Sequence, residues 1–134
     1  MSVDAGIALV PISFGELIDK ITILELKAER IADPQKVANI RTELDLLSVA
    51  RARFAVTDDA TAPLHAELKR INAALWDIED RIRDCERAKT FGPEFVELAR
   101  SVYQTNDRRA TLKRRISELA GSAIVEEKSY RDYL

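Results

Sequence analysis

The feature that most restricts how this chain can fold is an apolar series in its middle. Leu64, Leu68, Ile71, Leu75, Ile78, Ile82 and Cys85 follow one another at alternating steps of four and three. That spacing returns side chains to one stripe of an α-helix and, sustained this long, resembles the seam of a coiled coil. A strand needs a period of two, so the segment reads as a long helix packed along one side. The rest of the chain has the same character. Its four glycines and four prolines stand at the ends of periodic segments rather than inside them, and these breakers divide the sequence.

Ser13-Phe14-Gly15-Glu16 fits a capping box, in which the hydroxyl and the carboxylate each satisfy an orphan backbone N–H. A first helix is expected from there to about residue 32. Asp33-Pro34 supplies an N-cap and a proline at the first helical position, opening a second helix that carries Val37, Ile40, Leu44, Leu47 and Phe54 and frays near Ala55. "VTDDATAP" reads as a loop with Asp58 and Asp59 at its tip, and Thr61 with Pro63 as the start of the third helix. "TFGPEF" interrupts the pattern, Pro93 opens a fourth helix and Gly121 is a natural stop. Residues 1–12 form an arm, extended at Val10 because it precedes Pro11. A strand is conceivable only at 7–10, beside 123–126. With 134 residues the chain has room for one domain: the arm, a helical unit over 13–121 and a tail over 122–134. The expected fold is all-α, four long helices in an antiparallel bundle or as paired helical hairpins.

Lys plus Arg number 21 against 23 Asp plus Glu, so no long-range field gathers nucleic acid or an anionic membrane, and neither is expected as a partner. The basic stretch "NDRRATLKRR" spreads its cations around the whole helix instead of along one stripe. The first residues lack a basic segment before their short apolar run, so a cytoplasmic protein is expected. Cys85 is the single cysteine and His65 the single histidine, which disfavours an intramolecular disulfide and a thiolate or His-rich metal site. No Gly-rich phosphate loop, H-E-x-x-H or nucleophile elbow occurs. No cofactor or metal is expected.

At about 100° per residue, Phe14, Leu17, Ile18, Ile21, Leu24, Ala28 and Ile31 share one arc of the first helix. Ile23 and Leu26 project from roughly the opposite side, near Asp19 and Arg30. A helix apolar on two sides is sandwiched. Either the arm or tail covers the second side, or another copy of the chain does, which makes Ile23 and Leu26 candidates for self-association as a dimer.

Polar residues inside the apolar arcs form a second set of candidates. Glu25 falls in the core face of the first helix, Arg51 in that of the second, and Asn106, Arg109 and Lys113 in that of the fourth. Two accounts fit them. One is an internal ion-pair network, Glu25 with Arg109 or Lys113, that sets the register of the helices. The other is a cleft for a small anion, with Arg109 gripping it in bidentate fashion, Lys113 and Arg51 adding charge, and Glu25 available as an acid or base. Beside the third helix's stripe, Asn72, Trp76, Glu79 and Arg83 recur at steps of four, three and four. They are a candidate pocket wall, or a border whose Trp packs and points its N–H at a partner.

The segments "FGELIDKITILELKAERI", "LWDIEDRIRDCE", "LARSVYQTNDRRATLKRRI" and "EEKSYRDY", in this order, resemble a bacterial domain-of-unknown-function family, number 6165. The resemblance runs from Ile12 to Tyr133. It implies a small helical protein and no particular activity. "LIDKITILELKAER" also resembles the first helix of the all-helical chorismate mutases, intertwined dimers that bind a dicarboxylate with Arg and Lys from several helices. The chain departs from that pattern at Thr22, where an acid is usual, and at Arg30, about two residues early. The reading that follows is a protein that acts by binding or self-assembly, with a helical enzyme or binding protein for a small anionic metabolite as the alternative.

Overall fold

The computed structural model describes residues 6–54, 56 and 58–134. Four helices follow in order: α1 Phe14–Arg30, α2 Pro34–Ala52, α3 Asp58–Ala88 and α4 Pro93–Ala120. No strand occurs among the described residues, so 7–10 and 123–126 do not pair.

Local chemistry sets the helix ends. The Ser13 hydroxyl accepts from the Glu16 N–H at 3.1 Å, and Asp33 accepts from the N–H groups of Gln35 and Lys36 with Pro34 at the first turn. Gly121 closes α4 in the left-handed region at φ 63°, a conformation that costs glycine nothing. α3 differs from the expectation. It begins at Asp58, three residues before Thr61, with Pro63 inside its first turns. The expected loop tip has become the opening turn, where Asp59 suits the positive end of the helix dipole.

The start of α1 is buried in protein rather than open to water. Three serines from three places satisfy its first N–H groups: Ser122 takes that of Phe14, Ser117 that of Gly15 at 2.8 Å, and Ser13 that of Glu16. Gly15 is needed for this approach. A Cβ there would stand 2.0 Å from the Lys113 carbonyl oxygen and 2.8 Å from the Ser117 hydroxyl, well inside van der Waals contact.

α1 touches each of the other helices, and α2 packs chiefly along α1, reaching α3 through the Arg51–Thr61 hydrogen bond. The core is accordingly made of Phe14, Leu17, Ile18 and Ile21 from α1, Leu64 and Leu68 from α3, and Leu112 and Ile116 from α4. At 1.5 Å per residue α3 and α4 run about 46 and 42 Å, against about 25 Å for α1, so the core engages only one part of the long α3/α4 pair. Elsewhere the two long helices bury Leu75, Cys85, Leu98 and Thr105. The apolar series of α3 is the buried stripe, with Ile71, Ile78 and Ile82 partly covered. On α2 only Ile40 is buried. Val37, Leu44 and Leu47 are half-covered, as on a helix that fills one shallow seam along α1, and Phe54, beyond the end of α2, sets its ring 4.5 Å from that of Phe14 while staying partly exposed; the residue expected to mark the fraying, Ala55, lies outside the described residues.

The surplus apolar side of α1 is met within the chain. Leu26 is 4% exposed and Ile23 half-buried, both facing a cleft shared with α3 and α4. Leu26 is therefore covered by its own chain, while Ile23 keeps part of its surface in the cleft.

Candidate functional site

The sequence candidates divide into three groups in space. Asn106, Arg109 and Lys113 occupy successive turns of α4, and Asn72, Trp76, Glu79 and Arg83 line a cleft of about 460 Å³ together with Ile23, Leu26, Asn106 and Arg109. Two of the candidate sets and part of the third therefore meet at one place. Glu25 and Arg51 lie elsewhere. Glu25 pairs with His65 at 2.8 Å rather than with Arg109, and Arg51 donates to the Thr61 hydroxyl at 3.1 Å while its guanidinium lies 5.5 Å from the Phe14 ring centre.

The partner of Arg109 is Asp19. Its Nε donates to Asp19 Oδ1 at 2.9 Å and its Nη2 to Oδ2, a bidentate pair of the kind that fixes both charge and orientation. Asp19 is 1% exposed. Asn72 Nδ2 donates to the same Oδ1 and to the Thr22 hydroxyl, both at 2.9 Å, and that hydroxyl donates to the Asp19 carbonyl. Every buried side-chain N and O among the described residues has a partner, as a buried carboxylate requires if its desolvation is to be offset. Hydrogen bonding to Asp19 is the main cause that raises the Arg109 guanidinium above its ordinary value; it is a permanent cation.

Asp19 and Thr22 were not singled out from the sequence. A signal existed: Asp19, Ile23, Leu26 and Arg30 run at steps of four, three and four, so an acid stood within the second apolar side of α1. The spacing marks that side of α1 as covered, by the chain or by a second copy, without saying that the cover brings a cation.

One turn along α4, Lys113 is buried and pairs with Glu16 at 2.5 Å and Glu126 at 3.3 Å. Arg109 against Asp19, Lys113 against Glu16 and Ser117 against Gly15 show positions falling on α4 as they rise on α1. Glu126 belongs to the tail, which returns over α4. The Tyr133 hydroxyl donates to Asp107 at 2.9 Å, and its ring meets that of Tyr103 edge to face at 5.0 Å. Between tail and α4 lies a second cleft of about 450 Å³, also lined by Asn106 and Arg109.

The pocket wall carries its own pairs. Trp76 Nε1 donates to Asp80 at 3.1 Å, Arg30 stacks 5.3 Å from its ring centre, and Glu79 reaches Arg83 only at 4.0 Å. Chemically, the site offers oriented N–H donors and no exposed acid at its centre: Asp19 is sealed behind Arg109 and Asn72. Glu25 and His65 line neither of these clefts. Among the described residues no three His, Cys, Asp or Glu side chains gather as metal ligands, and no helix is long and apolar enough to cross a membrane.

No curated protein and no solved structure matches the chain. A family model does, over residues 8–134, so the span that holds the four helices, the buried Asp19–Arg109 pair and the returning tail is the span of the family: the chain belongs to the family described as "Family of unknown function (DUF6165)".

Proposed function

We propose that this protein works by binding, and that its ligand is a small anion held at the Arg109 turn of α4. One observation carries the reading. Arg109 is clamped on two of its nitrogens by a carboxylate that is itself sealed from solvent, yet its side chain remains 28% exposed and lines a cleft on either flank. A guanidinium oriented in advance loses little entropy when it grips an oxyanion. The carboxylate that Arg109 meets is sealed from solvent, which favours binding over catalysis, in a cytoplasmic setting.

The test is thermal unfolding of the wild type with inorganic phosphate, citrate and short carboxylates, with chloride at matched ionic strength as reference. A bound anion at about a hundred times its Kd stabilises by about 2.7 kcal/mol. The response should saturate, and Arg109→Lys, which keeps a cation beside Asp19 and loses the guanidinium fork, should lose it. Equal melting in every anion and in chloride refutes the proposal.

Self-association as a dimer is a second reading, now resting on α2 instead of Ile23 and Leu26. α2 packs chiefly on α1 and leaves Leu46 and Val49 about half exposed one turn apart, where the same face of a second copy would seat. Light scattering on Leu46→Glu with Val49→Glu tests it: an unchanged mass removes the support.

A further inference from the structure

The two clefts that flank Arg109 differ in chemistry. The α1/α3 flank mixes Glu79 and Asp80 with Arg83, and its ring, Trp76, is already engaged by Arg30 and Asp80. The tail flank presents Arg109, Lys113, Lys128 and Arg131 against a single lining carboxylate, Asp107, which already accepts from the Tyr133 hydroxyl. The acids that pair with these cations, Glu16, Asp19 and Glu126, do not line the cleft. A molecule entering on this side meets N–H donors.

The tail also supplies aromatic surface. It is fastened at Glu126 by Lys113, 3.3 Å away, and at Tyr133 by Asp107, 2.9 Å away, so the residues between them form a roof. Tyr103 and Tyr133 close one end by their edge-to-face contact. Tyr130, in the roof, is 76% exposed and leaves its ring open to stack. The cleft's volume, about 450 Å³, falls within the range of small-molecule sites.

We infer that the tail flank is where the anion sits, and that the ligand is a compact oxyanion, phosphate or carboxylate, carried on a planar ring. The oxyanion lies among Arg109, Lys113, Lys128 and Arg131, and the ring stacks on Tyr130. This rests on the anion-binding reading of α4 and adds to it the flank, the ring and the role of the tail.

Calorimetric titrations with phenyl phosphate, benzoate, inorganic phosphate, acetate and phenol test it. Phenyl phosphate should bind at least tenfold tighter than inorganic phosphate, or benzoate tenfold tighter than acetate, whichever oxyanion fits; phenol should not bind. Tyr130→Ala should erase the advantage of the ring and leave the simple anion's affinity unchanged. Lys128→Gln with Arg131→Gln should weaken every anion about tenfold. All three side chains are exposed, so these variants keep the fold. Fluorescence of Trp76, the sole tryptophan, should not change on binding. Equal affinity with and without the ring, or quenching of Trp76 together with no effect of the tail variants, overturns this inference and leaves the anion site standing. Failure of every anion to bind overturns both.

Discussion

Replacing Arg109 by methionine leaves the Asp19 carboxylate buried with one remaining side-chain donor, Asn72 Nδ2 at 2.9 Å. Removing one partner of a buried ion pair costs about 3 to 5 kcal/mol, chiefly because the other charge is stranded. Water reaches the Arg109 side chain, which is 28% exposed, and Asn72 still binds the carboxylate, so the lower end applies: about 3 kcal/mol. Asp19→Asn is milder. It leaves a guanidinium that can turn toward solvent, and should cost about 1 to 2 kcal/mol, as for a lost charged hydrogen bond. The double variant is the informative one. With neither charge of the pair left, it should be more stable than Arg109→Met alone by about 1 to 2 kcal/mol, a coupling far outside additivity. Urea unfolding of the four proteins, followed by Trp76 fluorescence and far-UV circular dichroism, measures this. If the double variant is as unstable as the sum of the two singles, the assignment of Asp19 and Arg109 as a buried, mutually dependent pair is wrong.

Gly15→Ala places a Cβ against the Lys113 backbone, which cannot yield as a side chain would; a loss of at least about 3 kcal/mol in urea unfolding is expected, and a loss below 1 kcal/mol argues against this close approach of α1 to α4. Glu126 is held below the usual glutamate range, first by its hydrogen bond with Lys128 and then by Lys113. A depressed carboxylate stabilises above its ordinary value and ceases to as the pH falls through the depressed one, so acid below the usual glutamate range should free the tail. Proteolysis after residue 121 by an acid-active protease should quicken there, and more so than for Glu126→Gln at the same pH. Cys85 is buried between α3 and α4, so a thiol reagent should label it at the rate of unfolding; immediate labelling of the native protein contradicts that burial.

The helix boundaries were legible in the sequence because they are decided within three or four residues. A serine or aspartate that satisfies an N–H, a proline at a first turn and a glycine that can turn left-handed act locally, and Ser13, Asp33, Pro93 and Gly121 stand where α1, α2 and α4 begin or end. The apolar stripe of α3 was legible for the same reason: its period names the buried face. The start of α3 was less so, since Thr61 and Pro63 carry a start signal that the turn at Asp58 precedes.

What a periodicity leaves open is which element arrives at a face. Ile23 and Leu26 demanded a neighbour, and nothing along α1 says whether that neighbour belongs to the same chain; α3 and α4, brought back by the long pair they form, supplied it. The polar partners follow from the same ambiguity. The expected acid, Glu25, and the one that meets Arg109, Asp19, both stand on α1, six residues apart and thus about 120° apart around the helix. The angle at which α4 passes α1 presents Arg109 to Asp19 and leaves Glu25 to His65 of α3. That choice depends on the relative rotation and depth of two helices whose residues lie 90 positions apart in the chain, a quantity set by packing Gly15 against Lys113 and not by any local spacing.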